Sequence, residues 1–234
     1  MKEIFNFYSK PRPSHAREPL VTTFPANDPA QGRATTTYRA GEQIYGQNHP
    51  CGGIYCIIDG TVGIQQRDDT GNTTLLRIVD SGATIGQDAY FGSVNHSNEA
   101  YCLTDATLCF ISNKSMTTLL ESDAELLKGL INQMADDLKV ADKIRIQTIH
   151  LRVRSRLACF LLSLRDRHGT VDESGNLILT LPLTRREMAS TIGTRPESLS
   201  RAIRALESTG SARFAGKRVV IKDLDDLLDE AEKG

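Results

Sequence analysis

Two tetrads near the C-terminus, Thr184-Arg185-Arg186-Glu187 and Thr194-Arg195-Pro196-Glu197, hold the residues best suited to chemistry in this 234-residue chain. Each sets a threonine three residues before a glutamate. In that pattern hydroxyl and carboxylate exchange hydrogen bonds with the backbone where a helix starts. Pro196 suits the first turn of the second helix, where its missing N–H is no loss. Gly193 stops the first helix, and the few residues between the two leave room only for a sharp corner. The second helix opens Arg195-Pro196-Glu197-Ser198-Leu199-Ser200-Arg201, with guanidinium, hydroxyl and carboxylate groups on its exposed early turns. A helix-turn-helix of this kind offers the groups that hydrogen-bond to DNA, so recognition rather than catalysis is the expected chemistry.

Charge supports that expectation. The net charge of -1 hides 13 Lys+Arg against 6 Asp+Glu in residues 151–221, a balance of +7, over a remainder at -8. Binding to a phosphate backbone releases counterions only where cations gather, and here they gather around the tetrads. Hydrophobic content of 39% and charged content of 24% fit a globular protein with real cores. No apolar run is long enough to span a bilayer, and Met1–Asn6 lacks the apolar core of a signal peptide, so a cytoplasmic address is expected. The five cysteines (Cys51, Cys56, Cys102, Cys109, Cys159) form no CxxC pair and are expected to be free and mostly buried.

The elements that must position these groups follow from pattern. Residues 1–34, rich in Pro, Ser, Thr and Asn, read as an irregular arm with one short helix at Ile4–Tyr8. Residues 35–112, within a first domain over 35–122, read as short strands between glycine turns: Ile54–Ile58, Thr61–Gln66, Thr73–Val79, Thr84–Gly86 and Ala100–Ile111. This spacing suits an antiparallel barrel or jelly roll. Over 115–147 the period becomes helical. Leu127, Ile131, Met134, Leu138, Ala141, Arg145 and Thr148 step by four and three, the seam of a dimeric coiled coil. A second stripe, Leu126, Leu130 and Val140, suits packing against the barrel. A helix over Leu151–Arg167, a strand over Leu177–Leu181, the helix-turn-helix and a hairpin around Ala215-Gly216-Lys217-Arg218 complete a winged domain over 150–221. An acidic tail, 222–234, reads as a short surface helix.

Jelly roll, dimer helix over 123–149 and winged helix-turn-helix, an α+β chain in that order, resemble the CRP/FNR superfamily of bacterial transcription regulators. In the first domain the resemblance rests on Gly41-Glu42-Gln43-Ile44-Tyr45, on Ile54–Val62 and on Gly82-Ala83-Thr84-Ile85-Gly86. In the second it rests on Leu183–Ala189, the following helix through Arg201, and Gly216-Lys217. It implies a homodimer on double-stranded DNA, with RNA polymerase as a further partner. It also places Glu197, Ser200 and Arg201 on base-reading positions: arginine can donate twice to guanine, and glutamate can accept from cytosine. Glu-x-x-Ser-Arg resembles the FNR-type subgroup, whose half-site is TTGA; the CRP-type subgroup has an arginine where this chain has Pro196. Thr184, Arg185, Arg186, Arg195, Ser198 and Lys217 match phosphate-contacting positions, which set register rather than sequence preference.

The sensor half departs from two ligand patterns of the superfamily. A cyclic-nucleotide pocket needs a carboxylate where Gln87 stands and an arginine for the phosphate, yet Gly92–Thr104 holds no Lys or Arg. Cyclic AMP is therefore not expected. An FNR-type iron–sulfur cluster draws thiolates from an N-terminal cysteine cluster, and residues 1–50 have none. His15, His49 and His96 leave haem open as a cofactor, although a loop histidine is more often only that, and the effector is left unassigned. Two competing classes fit less well. A jelly-roll metal- or ligand-binding protein with a helical partner-binding appendix would need clustered His and Glu on adjacent strands. A cyclic-nucleotide module that binds no DNA would leave the +7 half without purpose.

Overall fold

Residues 32–92 and 95–233 are described by a computed structural model, in which one unit ends at Val140 and a second starts at Ala141. The expected helix at Ile4–Tyr8 and the ligand candidate His15 lie outside the described residues.

The first unit contains β1 (Arg33–Tyr38), β2 (Gln43–Tyr45), β3 (Gly53–Asp59), β4 (Thr61–Arg67), β5 (Thr73–Asp80) and β6 (Thr84–Ile85). A one-and-a-half-turn helix α1 (Gln87–Gly92) follows, then β7 (Glu99–Cys102) and β8 (Ala106–Ser112). The strands form two antiparallel sheets, ordered β1-β8-β3-β6 and β2-β7-β4-β5. Their facing sides bury Ile57, Ile85 and Leu108 from one sheet against Val62, Ile64, Val79 and Ala100 from the other. The first sheet has a second apolar side, where Ile54, Cys56, Cys109 and Ile111 meet Met116, Leu126 and Leu130. That explains the unbroken apolar run of β3: a strand covered on both faces has no polar positions to alternate with. Gly60 makes the β3–β4 turn at φ 93°, where a Cβ would lie 2.4 Å from the Asp105 carbonyl oxygen.

Two expectations change here. Ala100–Ile111 is two strands in different sheets, not one. The chain switches sheets at residues 103–105, where Thr104 Oγ1 accepts from Thr61 N and Asp105 Oδ1 accepts from Ala40 N. Residues 33 and 34 belong not to an arm but to β1, paired with Ile111 and Phe110.

The helical stretch is also two helices, α2 (Asn113–Ser122) and α3 (Ala124–His150). Ser112 caps the first, while Asp123 leaves helical geometry and its carboxylate accepts from Leu126 N at 3.0 Å, restarting the helix. Leu126 and Leu130 are buried on the jelly roll as the second stripe anticipated, and Val140 is half-buried. The Gln133 amide seals this packing: Oε1 accepts from Thr84 N (3.1 Å) and Oγ1 (3.0 Å), and Nε2 donates to Thr84 O (2.8 Å). One turn on, Asp137 pairs with Arg77 of β5.

In the second unit α4 (Val153–His168) is buried along most of its length. Around it lie β9 (Gly169–Val171), β10 (Leu177–Thr180), α5 (Arg185–Thr191), α6 (Pro196–Ser208), β11 (Arg213–Ala215), β12 (Arg218–Ile221) and α7 (Leu224–Glu232). The sheet order is β11-β12-β10-β9. The acidic tail is more than a surface helix. α7 buries Leu227, Glu230 and Ala231, and Glu230 pairs with Arg154 of α4.

Candidate nucleic-acid interface

The first tetrad does what its spacing predicts. Thr184 is the N-cap of α5; its hydroxyl accepts from Glu187 N at 3.3 Å, and Glu187 Oε2 accepts from Thr184 N at 2.6 Å. The second tetrad does not repeat the box. α6 starts one residue later, with Arg195 as N-cap, Pro196 at the first helical position rather than the second, and no side-chain capping bond. Proline disfavours helical geometry just before itself, in keeping with Arg195 extended at φ -90°, ψ 153° and Thr194 outside the helix. The correction matters for function: the Glu197 carboxylate is not committed to a cap.

Between the helices Gly193 takes φ 64°, and its carbonyl accepts from Arg156 of α4 at 3.3 Å. Thr194 N returns to Ala189 O at 2.9 Å. These bonds tie the corner to α4 and to α5, and Arg156 was not visible as a contributor because nothing local marks it.

Helix α6 buries Leu199, Ala202, Ile203 and Leu206, a stripe at i, i+3, i+4 and i+7. The opposite side therefore leaves Glu197, Ser200 and Arg201 exposed together. Ser200 Oγ donates to Pro196 O at 2.9 Å, and an Arg201 guanidinium nitrogen donates to Ser198 Oγ at 3.0 Å. Arg185, Arg186 and Arg195 are exposed at the two helix starts, and Lys217 is exposed at the tip of the β11–β12 hairpin. Sequence reasoning missed how the hairpin is tied in. The Arg185 guanidinium lies 5.2 Å from the centre of the Phe214 ring, and Phe214 N donates to Glu207 Oε1 of α6 at 3.1 Å. The aromatic at 214 was the only local hint.

On α3, Ile131 and Leu138 are exposed with Ala141, Arg145 and Thr148, whereas Leu127 and Met134 are half-buried. Ile146 and Ile149 extend the exposed apolar surface along the same helix.

Two family models match the chain: a cyclic nucleotide-binding domain over residues 35–123 and a Crp-like helix-turn-helix domain over 155–230. A CRP-like cAMP-activated global transcriptional regulator of Mycobacterium tuberculosis is 27% identical over 82% of this chain and 85% of its own. A transcriptional activator of Cereibacter sphaeroides, FnrL, is 23% identical over 83% of this chain and 79% of its own. The chain belongs to the CRP/FNR superfamily of transcription regulators. A solved CRP/FNR-family regulator from Thermus thermophilus superposes with a TM-score of 0.71 at 28% identity, covering 85% of this chain and 98% of that one.

A CRP/FNR regulator with a cyclic-nucleotide domain invites a test of that ligand. Gln87 is buried and neutral, and its Oε1 has no partner among the described residues. His96 does not sit in an open loop. It is buried and stacked 3.8 Å from the Tyr45 ring, while His49 is exposed. Burial lowers the His96 pKa from 6.5; Asp88 opposes this and His49 adds to it. A neutral amide and a neutral imidazole supply no charge to a cyclic phosphate, and Arg77 is already paired with Asp137. These residues do not fit a cyclic nucleotide. All five cysteines are free and buried; Cys56 and Cys109 face each other across β3 and β8, their thiol pKa values raised by desolvation. Among the described residues no helix is long and apolar enough to cross a membrane.

Proposed function

We propose that this regulator binds a palindrome of TTGA-like half-sites as a homodimer, without a cyclic nucleotide. Glu197, Ser200 and Arg201 read base edges; Thr184, Arg185, Arg186, Arg195, Ser198 and Lys217 hold phosphates. The observation that carries the reading is the exposed face of α6, where Glu197 is free of a capping bond and stands one turn from Arg201. The working segments are a sensor over 35–122, a dimer helix over 123–149 and a DNA-binding domain over 150–221 to which α7 adds a packed helix. Membership in a family of transcription regulators supports RNA polymerase as a further partner and the cytoplasm as the place of action.

A bidentate arginine–guanine pair discriminates by about 1–3 kcal/mol, and a two-fold dimer uses it twice, so Arg201→Ala should lose roughly 2–6 kcal/mol on the palindrome. Lys217→Ala should instead weaken all sequences alike and flatten the salt slope by about one unit per half-site. Footprinting on the palindrome and on a site with the guanine replaced decides. If Arg201→Ala weakens both sites equally, Arg201 touches only phosphate and the half-site assignment fails.

A further inference from the structure

The two serines at the start of α6 are in different chemical states. Ser200 has given its hydroxyl hydrogen to the Pro196 carbonyl. Ser198, half-buried one position after Glu197, accepts from the Arg201 guanidinium and has no acceptor for its own hydrogen among the described residues. A hydroxyl can accept and donate at once. Its unused hydrogen is therefore available to a DNA phosphate while its oxygen holds the arginine.

We propose that Ser198 is a positioning residue for base reading, linking a backbone phosphate to the orientation of Arg201. The inference rests on the reading of Arg201 as the guanine contact and adds to it a requirement for a specific neighbour. Arginine discriminates guanine because its planar fork meets two acceptors at once, and that needs the guanidinium plane fixed. An exposed arginine on a helix samples many rotamers, and losing that freedom on binding reduces affinity. The bond to Ser198 restricts the fork before DNA arrives. When the same hydroxyl donates to a phosphate, the arginine is set in plane by the backbone register, so correct docking and correct reading become one event. Phosphate contacts elsewhere on the surface, such as Lys217, have no comparable bond to a base-reading group among the described residues.

The test uses the full-length protein and four variants: Ser198→Ala, Ser198→Thr, Arg201→Ala and the double variant Ser198→Ala/Arg201→Ala. Alanine is a better helix former than serine, so folding is not at risk. Binding is measured on the TTGA palindrome, on the guanine-substituted site and on unrelated duplex. Ser198→Ala should reduce the ratio of specific to substituted-site affinity by about tenfold, roughly threefold for each half-site, because a hydrogen bond to a charged group is stronger than a neutral one. Ser198→Thr, which keeps the hydroxyl, should restore the ratio. In the Arg201→Ala background the serine substitution should leave the ratio unchanged, since nothing remains to be positioned. Equal loss on all three duplexes would make Ser198 a phosphate contact alone and overturn the proposal. An unchanged ratio with Ser198→Ala, while Arg201→Ala still abolishes discrimination, overturns it as well and leaves base reading intact. Failure of Arg201→Ala to change discrimination would instead remove the reading on which the proposal stands.

Discussion

Ile131 and Leu138 stand seven residues, two helical turns, apart on α3, 54% and 64% exposed in the single chain. Placing lysine at both leaves the fold of one chain nearly untouched, because exposed helix positions tolerate charge to within about 0.5 kcal/mol. The proposed dimer is a different matter. Complete burial of a large aliphatic side chain is worth about 1.5–3 kcal/mol, so the exposed fractions correspond to roughly 2–3.5 kcal/mol per protomer and about 4–7 kcal/mol for two. At 1.4 kcal/mol for each factor of ten, the dimer should weaken by roughly 10³–10⁵-fold before like-charge repulsion is added. Sedimentation velocity over a concentration series measures this directly, with a thermal melt of the same samples to show that each chain is still folded. A folded double variant that stays dimeric at its original concentration dependence would place the subunit contact elsewhere and refute the argument from the exposed stripe.

Gln133→Ala removes three hydrogen bonds to Thr84 and should destabilise the first unit by about 1–3 kcal/mol in denaturant titration; an unchanged midpoint would show the latch to be ornamental. His96 titrates below 6.5 in the fold, so the unfolded chain binds more protons as pH falls through that value. Stability should therefore decline from pH 7 toward pH 5, and His96→Gln should flatten that part of the profile; an equal slope in both proteins would assign the decline to other groups. Calorimetry with cyclic AMP should register no binding at micromolar concentrations, and a clear isotherm would mean that the phosphate finds a cation other than those around Gln87 and His96.

Much of this architecture was readable in advance because it depends on near neighbours. Thr184 and Glu187 are three residues apart, so their capping box follows from sequence alone. The strands from Ile54 to Val79 declare themselves through turn residues; Asp68 and Asp172 even fold two similar Asp-x-x-Gly-Asn turns, each carboxylate accepting from backbone N–H groups up to four residues on. What escaped was of two kinds. At Thr194 two local rules competed, and the backbone restriction before Pro196 prevailed over the threonine's preference for capping. The others are contacts between distant residues: Arg185 with Phe214, Arg156 with Gly193, Gln133 with Thr84, and α7 against α4. No periodicity encodes these, since each exists only once the elements have met. The α3 stripes lay between the two kinds: helical period separated buried from exposed positions, but only packing showed that Met134 and Leu127 are partly covered while Leu138 is bare.

The Gln133 latch also bears on where a sheet ends. Among the described residues β6 is the last strand of its sheet, bound on one side to β3 and on the other to no strand. A bare edge offers its N–H and C=O groups to any passing strand and so invites sheets of different molecules to join. Here a side-chain amide, which carries the same donor and acceptor as a peptide bond, bonds both backbone groups of Thr84. The helix thus contributes a single counterfeit residue of strand, and the sheet is told to stop growing at the point where another chain could have continued it.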